Sequence, residues 1–212
     1  MHIRYEGNAP QQDRSRASLE RLMMAAREIL SEGTFEQLTI AEISKRSKVS
    51  VGSIYARFKG KDELFLAVMM DVMDEIQSEW SGLILELRSR QLPLEVRVPA
   101  VVDALAEHLH KHAGILQPFM GKASDPRVAM CGKSAYQSTA KNFVDFILES
   151  STDIQRSDAE RAVNSCFTIV YAALARFLGL GSAPDAAGEG NWAFLKADLG
   201  QMCLGFLKQG SR

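Results

Sequence analysis

Cysteine is scarce in this chain: three among 212 residues, Cys131, Cys166 and Cys203, more than thirty positions apart and in no CxxC pair. An odd, scattered count in a chain of this size excludes a disulfide-stapled scaffold and reads as a protein of the reducing cytoplasm. Long hydrophobic runs are missing as well. Near the C-terminal end the longest uncharged stretch, Ala162 to Ala175, is fourteen residues and includes Asn164, Ser165 and Thr168, too short and too polar for a membrane span. The first seventeen residues carry Arg4, Glu6, Asp13, Arg14 and Arg16 and no apolar core, so neither an export signal nor a membrane partner is expected. Catalytic signatures are lacking: there is no GxSxG, HExxH, phosphate loop or cysteine–histidine arrangement, and three of the four histidines share one stretch. No enzyme activity and no cofactor are expected.

Net charge is nearly absent too, at −1, but the total conceals an asymmetry. Residues 1–61 hold 11 Lys and Arg against 7 acidic residues, and residues 62–212 hold 14 against 19. A front of +4 precedes a rear of −5. With 46% hydrophobic and 24% charged residues, the chain has the composition of a globular protein with one sizeable core or two small domains.

What is present is helical periodicity, with no strand signal. Leu19, Leu22, Met23, Ala26, Ile29 and Leu30 follow three-four spacing from Ser18 until Gly33, predicting a first helix. A long pattern runs from Lys61 to about Arg90, closed by Pro93. Further helices are expected at about 95–113, 115–121, 126–150, 157–180 and 191–208, separated by Gly114, Asp125-Pro126, a Ser/Thr/Asp cluster at 150–153, and a flexible Gly181–Gly190 loop. The fold class is all-α.

Residues 33–65, GTFEQLTIAEISKRSKVSVGSIYARFKGKDELF, concentrate the local signals. Thr39 and Glu42 have the spacing of a capping box, which predicts a helix from Ile40. That helix has room for about two turns before the chain reverses near Lys48, with Val49 as the apolar plug of the turn. Ser50 is the natural N-cap of a third helix, Val51 to Arg57, with Ile54 and Phe58 inward and Val51, Gly52, Ser53, Tyr55 and Arg57 outward. Two short helices on a tight turn make a helix-turn-helix. Its second helix suits the DNA major groove, which admits one helix while the preceding helix braces it across the backbone. Gly52 and Ser53 allow close approach, Tyr55 offers a hydroxyl to phosphate, Lys59 and Lys61 supply positive charge, and Arg57 can reach a phosphate or a base. With Lys45, Arg46 and Lys48 these account for most of the front's basic excess. The candidate DNA-binding set is Thr39, Lys48, Ser50, Val51, Gly52, Ser53, Tyr55, Arg57, Lys59 and Lys61. Arg14 to Arg16 form either an arm for the minor groove or a frayed terminus.

The run TIAEISKRSKVSVGSIYARFKGKDELF, with the preceding helix ending in Gly33-Thr34-Phe35, resembles the DNA-binding domain of the TetR/AcrR family of transcriptional regulators over roughly residues 17–66. Two positions depart from the family's usual pattern. Lys48 stands where a turn glycine is common, at a cost of about 1 kcal/mol if the backbone there is left-handed. Val51 replaces a residue that is often Lys, removing one DNA contact. The resemblance implies a repressor that binds a palindromic double-stranded DNA operator as a homodimer and responds to a small-molecule effector. It also implies two domains, 1–60 (arm and helix-turn-helix) and 61–212 (helical, ligand-binding and dimerising). The reading from a different class is a helical carrier or enzyme that shares the fold without binding an operator.

The rear segment can provide both implied functions. Ala162–Ala175 has few polar side chains on any side and calls for burial on more than one face, while Trp192, Leu195, Leu199, Met202, Cys203, Phe206 and Leu207 give an apolar stripe of similar length. In the family such helices pair with their mates in a four-helix bundle. Small Ala172, Ala173, Ala175 and Gly179 would permit close crossing. Methionines and aromatics on facing helices supply an effector-pocket set, Met69, Met73, Trp80, Phe119, Met120, Tyr136, Phe143, Phe167 and Tyr171, for an apolar or amphipathic molecule; core packing accounts for each equally well. His108 and His112 lie i, i+4 on one face with His110 opposite, but no third ligand accompanies them in sequence, so no metal is expected.

Overall fold

The computed structural model describes residues 9–181, 185 and 187–210, with side chains from residue 13 onward. Residues 1–8, part of the stretch read for an export signal, and residues 182–184 and 186 of the Gly181–Gly190 loop lie outside the described residues. Eight α-helices and no strand occur among the described residues: α1 (Ala9–Glu32), α2 (Ile40–Ser47), α3 (Val51–Tyr55), α4 (Lys61–Ser89), α5 (Leu94–Met120), α6 (Pro126–Leu148), α7 (Ala159–Phe177) and α8 (Trp192–Lys208). Single 3-10 turns lie at Phe35–Gln37 and Ser151–Asp153. The chain divides into two compact units, Met1–Asp71 and Val72–Arg212. The division expected at 60/61 coincides with the start of α4, whereas the first unit continues into that helix.

In the first unit the periodic positions behave as their spacing predicts. Leu22, Ala26, Ile29 and Leu30 of α1 are buried together with Leu38, Ile43, Val49, Ile54, Leu64, Phe65 and Val68. Phe35 meets Phe65 edge-on at 4.9 Å between ring centroids. Helix α1 begins nine residues before the expected Ser18. Its added residues carry no apolar stripe, but Ala9, Gln11, Gln12, Arg14, Arg16 and Ala17 are good helix formers, and Pro10 falls in the first turn, where its missing N–H is harmless. Arg14–Arg16 are therefore helical rather than an extended arm, and Arg16 pairs with Glu20 one turn on at 3.1 Å.

The second unit is built on α5, which lies against α8, α6 and α7. Gly200 of α8 makes the α5–α8 approach possible: a Cβ there would stand 3.1 Å from the Pro99 Cα. The separate helices expected at 95–113 and 115–121 are one helix. Gly114 costs an α-helix only about 1 kcal/mol, while Ala113, Ile115, Leu116 and Phe119 on either side of it are all buried. Pro118, which lacks the N–H that would reach the Gly114 carbonyl, sits inside the same helix, so both break signals fall on one missing hydrogen bond. Arg97 is buried yet fully engaged. It donates to the Leu92 carbonyl at 3.1 Å, the Phe146 carbonyl at 2.9 Å and Glu149 at 3.4 Å.

Helix α7 departs from the burial expected of an uncharged run. Ala162, Val163, Cys166, Phe167, Val170 and Leu174 are buried, but Ile169 is 56% exposed, and Asn164, Thr168 and Ala172 are exposed with it. One face is packed within this chain and another is uncovered. On α8, Phe194 and Met202 are exposed as well.

Candidate functional site

The helix-turn-helix forms where its caps placed it. Thr39 caps α2, its hydroxyl accepting from the Glu42 N–H at 3.2 Å. The reciprocal half of the expected capping box is absent from α2's N-terminus. The Glu42 carboxylate turns instead to Arg46 at 2.9 Å and Lys45 at 3.6 Å, and the Arg46 guanidinium holds its pKa below the usual carboxylate range. Arg46 also reaches Glu32 at 2.7 Å; its charge is spent inside the domain, unlike that of a phosphate-seeking side chain.

The turn is locked by three side chains. Val49 is buried, its carbonyl accepts from the Ser44 hydroxyl at 2.7 Å, and its N–H donates to the Ser47 hydroxyl at 3.2 Å. Lys48 takes the left-handed conformation at φ 57°, ψ 27°, which for a residue with a Cβ costs about 1 kcal/mol. Its side chain points outward. Ser50 caps α3, accepting from the Ser53 N–H at 3.2 Å and sharing a 2.8 Å hydrogen bond with the Ser53 hydroxyl.

Helix α3 is shorter than expected, ending at Tyr55, with Ala56 as its C-cap and Arg57 beyond it. Ile54 is fully buried and Phe58 half-buried, so the inward pair holds. Outward, Val51 is 43% and Tyr55 55% exposed, and the space around Gly52 is open, with no atom within 4 Å of a would-be Cβ. Val51, Gly52 and Tyr55 thus present a low ridge flanked by Ser53 and by exposed Lys48. Arg57 is the candidate whose setting differs most from a free contact. It donates to the Ser53 carbonyl at 3.2 Å and, across to α1, to the Ser15 carbonyl at 3.2 Å and hydroxyl at 3.0 Å.

Lys59 and Lys61, close in sequence, have different surroundings. The Lys59 side chain is 93% exposed and only loosely paired with Glu63 at 3.9 Å, while its backbone N–H donates to the Glu63 carboxylate at 2.7 Å, tying the start of α4. Lys61 is half-buried with its ammonium 4.1 Å over the Phe35 ring, a cation–π contact that holds the side chain against the core. No helix of the described residues is long and apolar enough to cross a membrane.

In the second unit, four of the nine pocket candidates gather. Tyr136 lies 5.3 Å from Phe167 and 4.9 Å from Tyr171, and Phe143 lies 5.3 Å from Phe167. Burial raises the pKa of the Tyr171 hydroxyl above its ordinary value. Trp80 is fully buried and donates to the Thr139 carbonyl at 3.3 Å. Phe119 is buried, Met73 half-buried, and Met120 half-exposed at the end of α5. Met69 is buried and falls in the first unit.

A cavity of about 490 Å³ between α4 and α5 has other walls: Gly82, Leu83, Ala104 and His108 with an acidic edge of Glu79, Glu86, Asp103 and Glu107, and Lys111. A second, of about 210 Å³, lies on the α7–α8 surface and is lined by Ser165, Cys166, Ile169, Leu199, Met202, Cys203 and Phe206. Beside the larger cavity, Lys111 and His112 both pair with Glu79, at 2.8 Å each. They hold its carboxyl down to about 2, Lys111 contributing most. Burial, then the neighbouring His112, holds His108 down to about 4, leaving it neutral at physiological pH. Sequence reasoning missed Glu79, because it lies some thirty residues from the histidines and no linear spacing relates them.

Residues 22–68 match the family model for bacterial regulatory proteins of the tetR family. Across nearly the whole chain the fold is similar to solved structures. One is assigned to the TetR family of transcriptional regulators, from Mesorhizobium loti MAFF303099, with a TM-score of 0.73, 16% identity and coverage of 92% of this chain and 96% of that one. A transcriptional regulator from Rhodococcus sp. Rha1 gives 0.63 at 18% identity, covering 89% and 94%. The fatty acid degradation regulator FadR of Bacillus halodurans gives 0.59 at 15%, covering 88% and 98%. No curated protein matches significantly by sequence.

Proposed function

We propose, from the premise that residues 22–68 make this chain a member of the TetR family of bacterial regulatory proteins, that it represses transcription by binding a palindromic operator as a homodimer and is released or retained there by a small effector. The observation that carries this is the ridge of α3. Its capped N-terminus, open Gly52, exposed Val51 and Tyr55, and flanking Lys48 and Lys59 have shape and charge suited to a major groove bordered by phosphates. Arg57 and Lys61 serve that surface indirectly, one bracing α3 against α1 and the other packed on Phe35. Thr39 and Ser50 contribute as helix caps whose exposed hydroxyl edges face solvent beside the ridge.

Dimerisation is assigned to α7 and α8. Ile169, Phe194 and Met202 are exposed apolar side chains on these two helices, and an uncovered apolar face on an otherwise well-packed pair marks an interaction surface. The effector is assigned to the second unit, against Trp80 and the Tyr136–Phe143–Phe167–Tyr171 cluster, whose aromatic side chains suit an apolar or amphipathic molecule. Helix α4 runs unbroken from Lys61 past Trp80. A ligand that favours one position of its second half therefore biases the element on which the DNA-binding unit ends. Selection of random duplexes by the full-length protein tests the reading. Enrichment of an inverted repeat with half-sites about 10 base pairs apart, or a multiple of that, supports it; no enriched motif overturns it.

A further inference from the structure

We infer that Glu79, His108 and His112 form a binding site for a divalent first-row transition-metal ion of the zinc type. The site stands apart from the operator-binding ridge, and its His108 ring stacks on Trp80 at 5.7 Å between centroids. Two imidazoles one helical turn apart on α5 face a carboxylate from α4, and one ligand atom from each lies within 4.8 Å of the other two. His112 Nε2 and Glu79 Oε2 are already 2.8 Å apart, and the two rings are 5.0 Å apart between centroids. Metal–ligand bonds of about 2.0–2.1 Å in a tetrahedral set put neighbouring ligand atoms roughly 3.3 Å apart.

A second observation points the same way. The His108 side chain is buried, at 4% exposure, and its Nε2 has no hydrogen-bond partner. The ring's other nitrogen is hydrogen-bonded to the backbone of Ile76. That bond fixes the tautomer that leaves the Nε2 lone pair free, which is the arrangement by which an outer contact orients a metal-ligating histidine. A buried acceptor without a donor is costly in a folded protein, and a cation at this point would satisfy it.

The chemistry of the donor set selects the cation. Two neutral nitrogens and one carboxylate oxygen suit zinc, cobalt or nickel rather than calcium or magnesium, which prefer all-oxygen shells. Three protein ligands leave a coordination position open, and Glu79 and His108 also line the 490 Å³ cavity, so a water or a donor group of a bound molecule has room to complete the shell. Lys111 opposes occupancy. Its ammonium lies 2.9 and 2.8 Å from the two Glu79 oxygens and must swing away, which its 62% exposure permits.

The test uses full-length, tag-free protein stripped with a chelator and titrated with zinc against a chromophoric competitor, and separately with cobalt, read by its visible absorption. The expected result is one ion per chain, affinity lower by tenfold or more in both Glu79→Gln and His112→Gln, and affinity higher in Lys111→Met. Circular dichroism checks each fold. Should Glu79→Gln or His112→Gln fail to fold, Lys111→Met, which alters an exposed side chain, still decides: unchanged or weaker binding overturns the proposal. Absence of one-equivalent uptake, or uptake that the ligand substitutions leave unchanged, overturns it equally.

Discussion

Replacing Lys48 by glycine and, separately, by alanine divides two roles that the residue combines. Its backbone is left-handed, at φ 57° and ψ 27°, in the turn between α2 and α3. Glycine adopts that region freely, whereas alanine keeps the Cβ clash of about 1 kcal/mol. Neither replacement has the ammonium. Lys48→Gly should therefore stabilise the helix-turn-helix relative to Lys48→Ala by about 1 kcal/mol, about a fivefold change in the population of open states. Amide hydrogen exchange of residues 38–58 reads this locally, since both tryptophans, Trp80 and Trp192, lie in the other unit and their fluorescence would miss it. DNA binding should respond differently. Both variants remove one phosphate-neutralising charge per protomer, so they weaken alike, and the slope of log affinity against log salt should shrink by about 0.9 for each phosphate left unneutralised. Equal protection of the two variants would refute the strain, and unchanged salt slopes would refute the role of the ammonium at phosphate.

Tyr55→Phe should weaken operator binding several-fold and leave the oligomeric state unchanged; unaltered affinity in a gel-shift titration would show that the hydroxyl makes no contact. Ile169→Glu with Met202→Glu places charge on the uncovered face of α7 and α8 and should yield a folded monomer in sedimentation equilibrium, whereas a persistent dimer would move the interface elsewhere. Acid should weaken the metal-free protein through His108, whose folded-state pKa is held at about 4 by burial. The unfolded chain takes up that proton first, near pH ~6.5, so stability present above that pH is lost as the pH falls towards 4, by about 3 kcal/mol for the full shift. Urea titrations across that range check it, and a flat profile that His108→Gln leaves unchanged would contradict the assignment.

The first unit was largely legible because its information is local. Ser50 and Thr39 each cap the N–H three residues on, Val49 is tied to Ser44 and Ser47 in the same turn, and Ile54 points inward as the short-range pattern predicts. Where competition among neighbours decides, the sequence misleads. Glu42 had a capping partner and two cations within reach, and the cations took it. Arg57 looked like a free basic residue, yet its partner Ser15 lies 42 residues away. Gly114 and Pro118 each signal a break, but the buried stripe of α5 runs through both. The same limit hid the Glu79–His108–His112 cluster, since α4 and α5 are brought face to face by packing that no linear spacing encodes.

The central claim is that the α3 ridge meets a DNA duplex. Its most direct test is the affinity of the full-length protein for the selected operator duplex, measured as salt is raised. With Lys48 and Lys59 of two protomers each neutralising a phosphate, log affinity should fall linearly with log salt at a slope of about −3.6 or steeper. A slope near zero, or no duplex binding at low salt, would contradict the account.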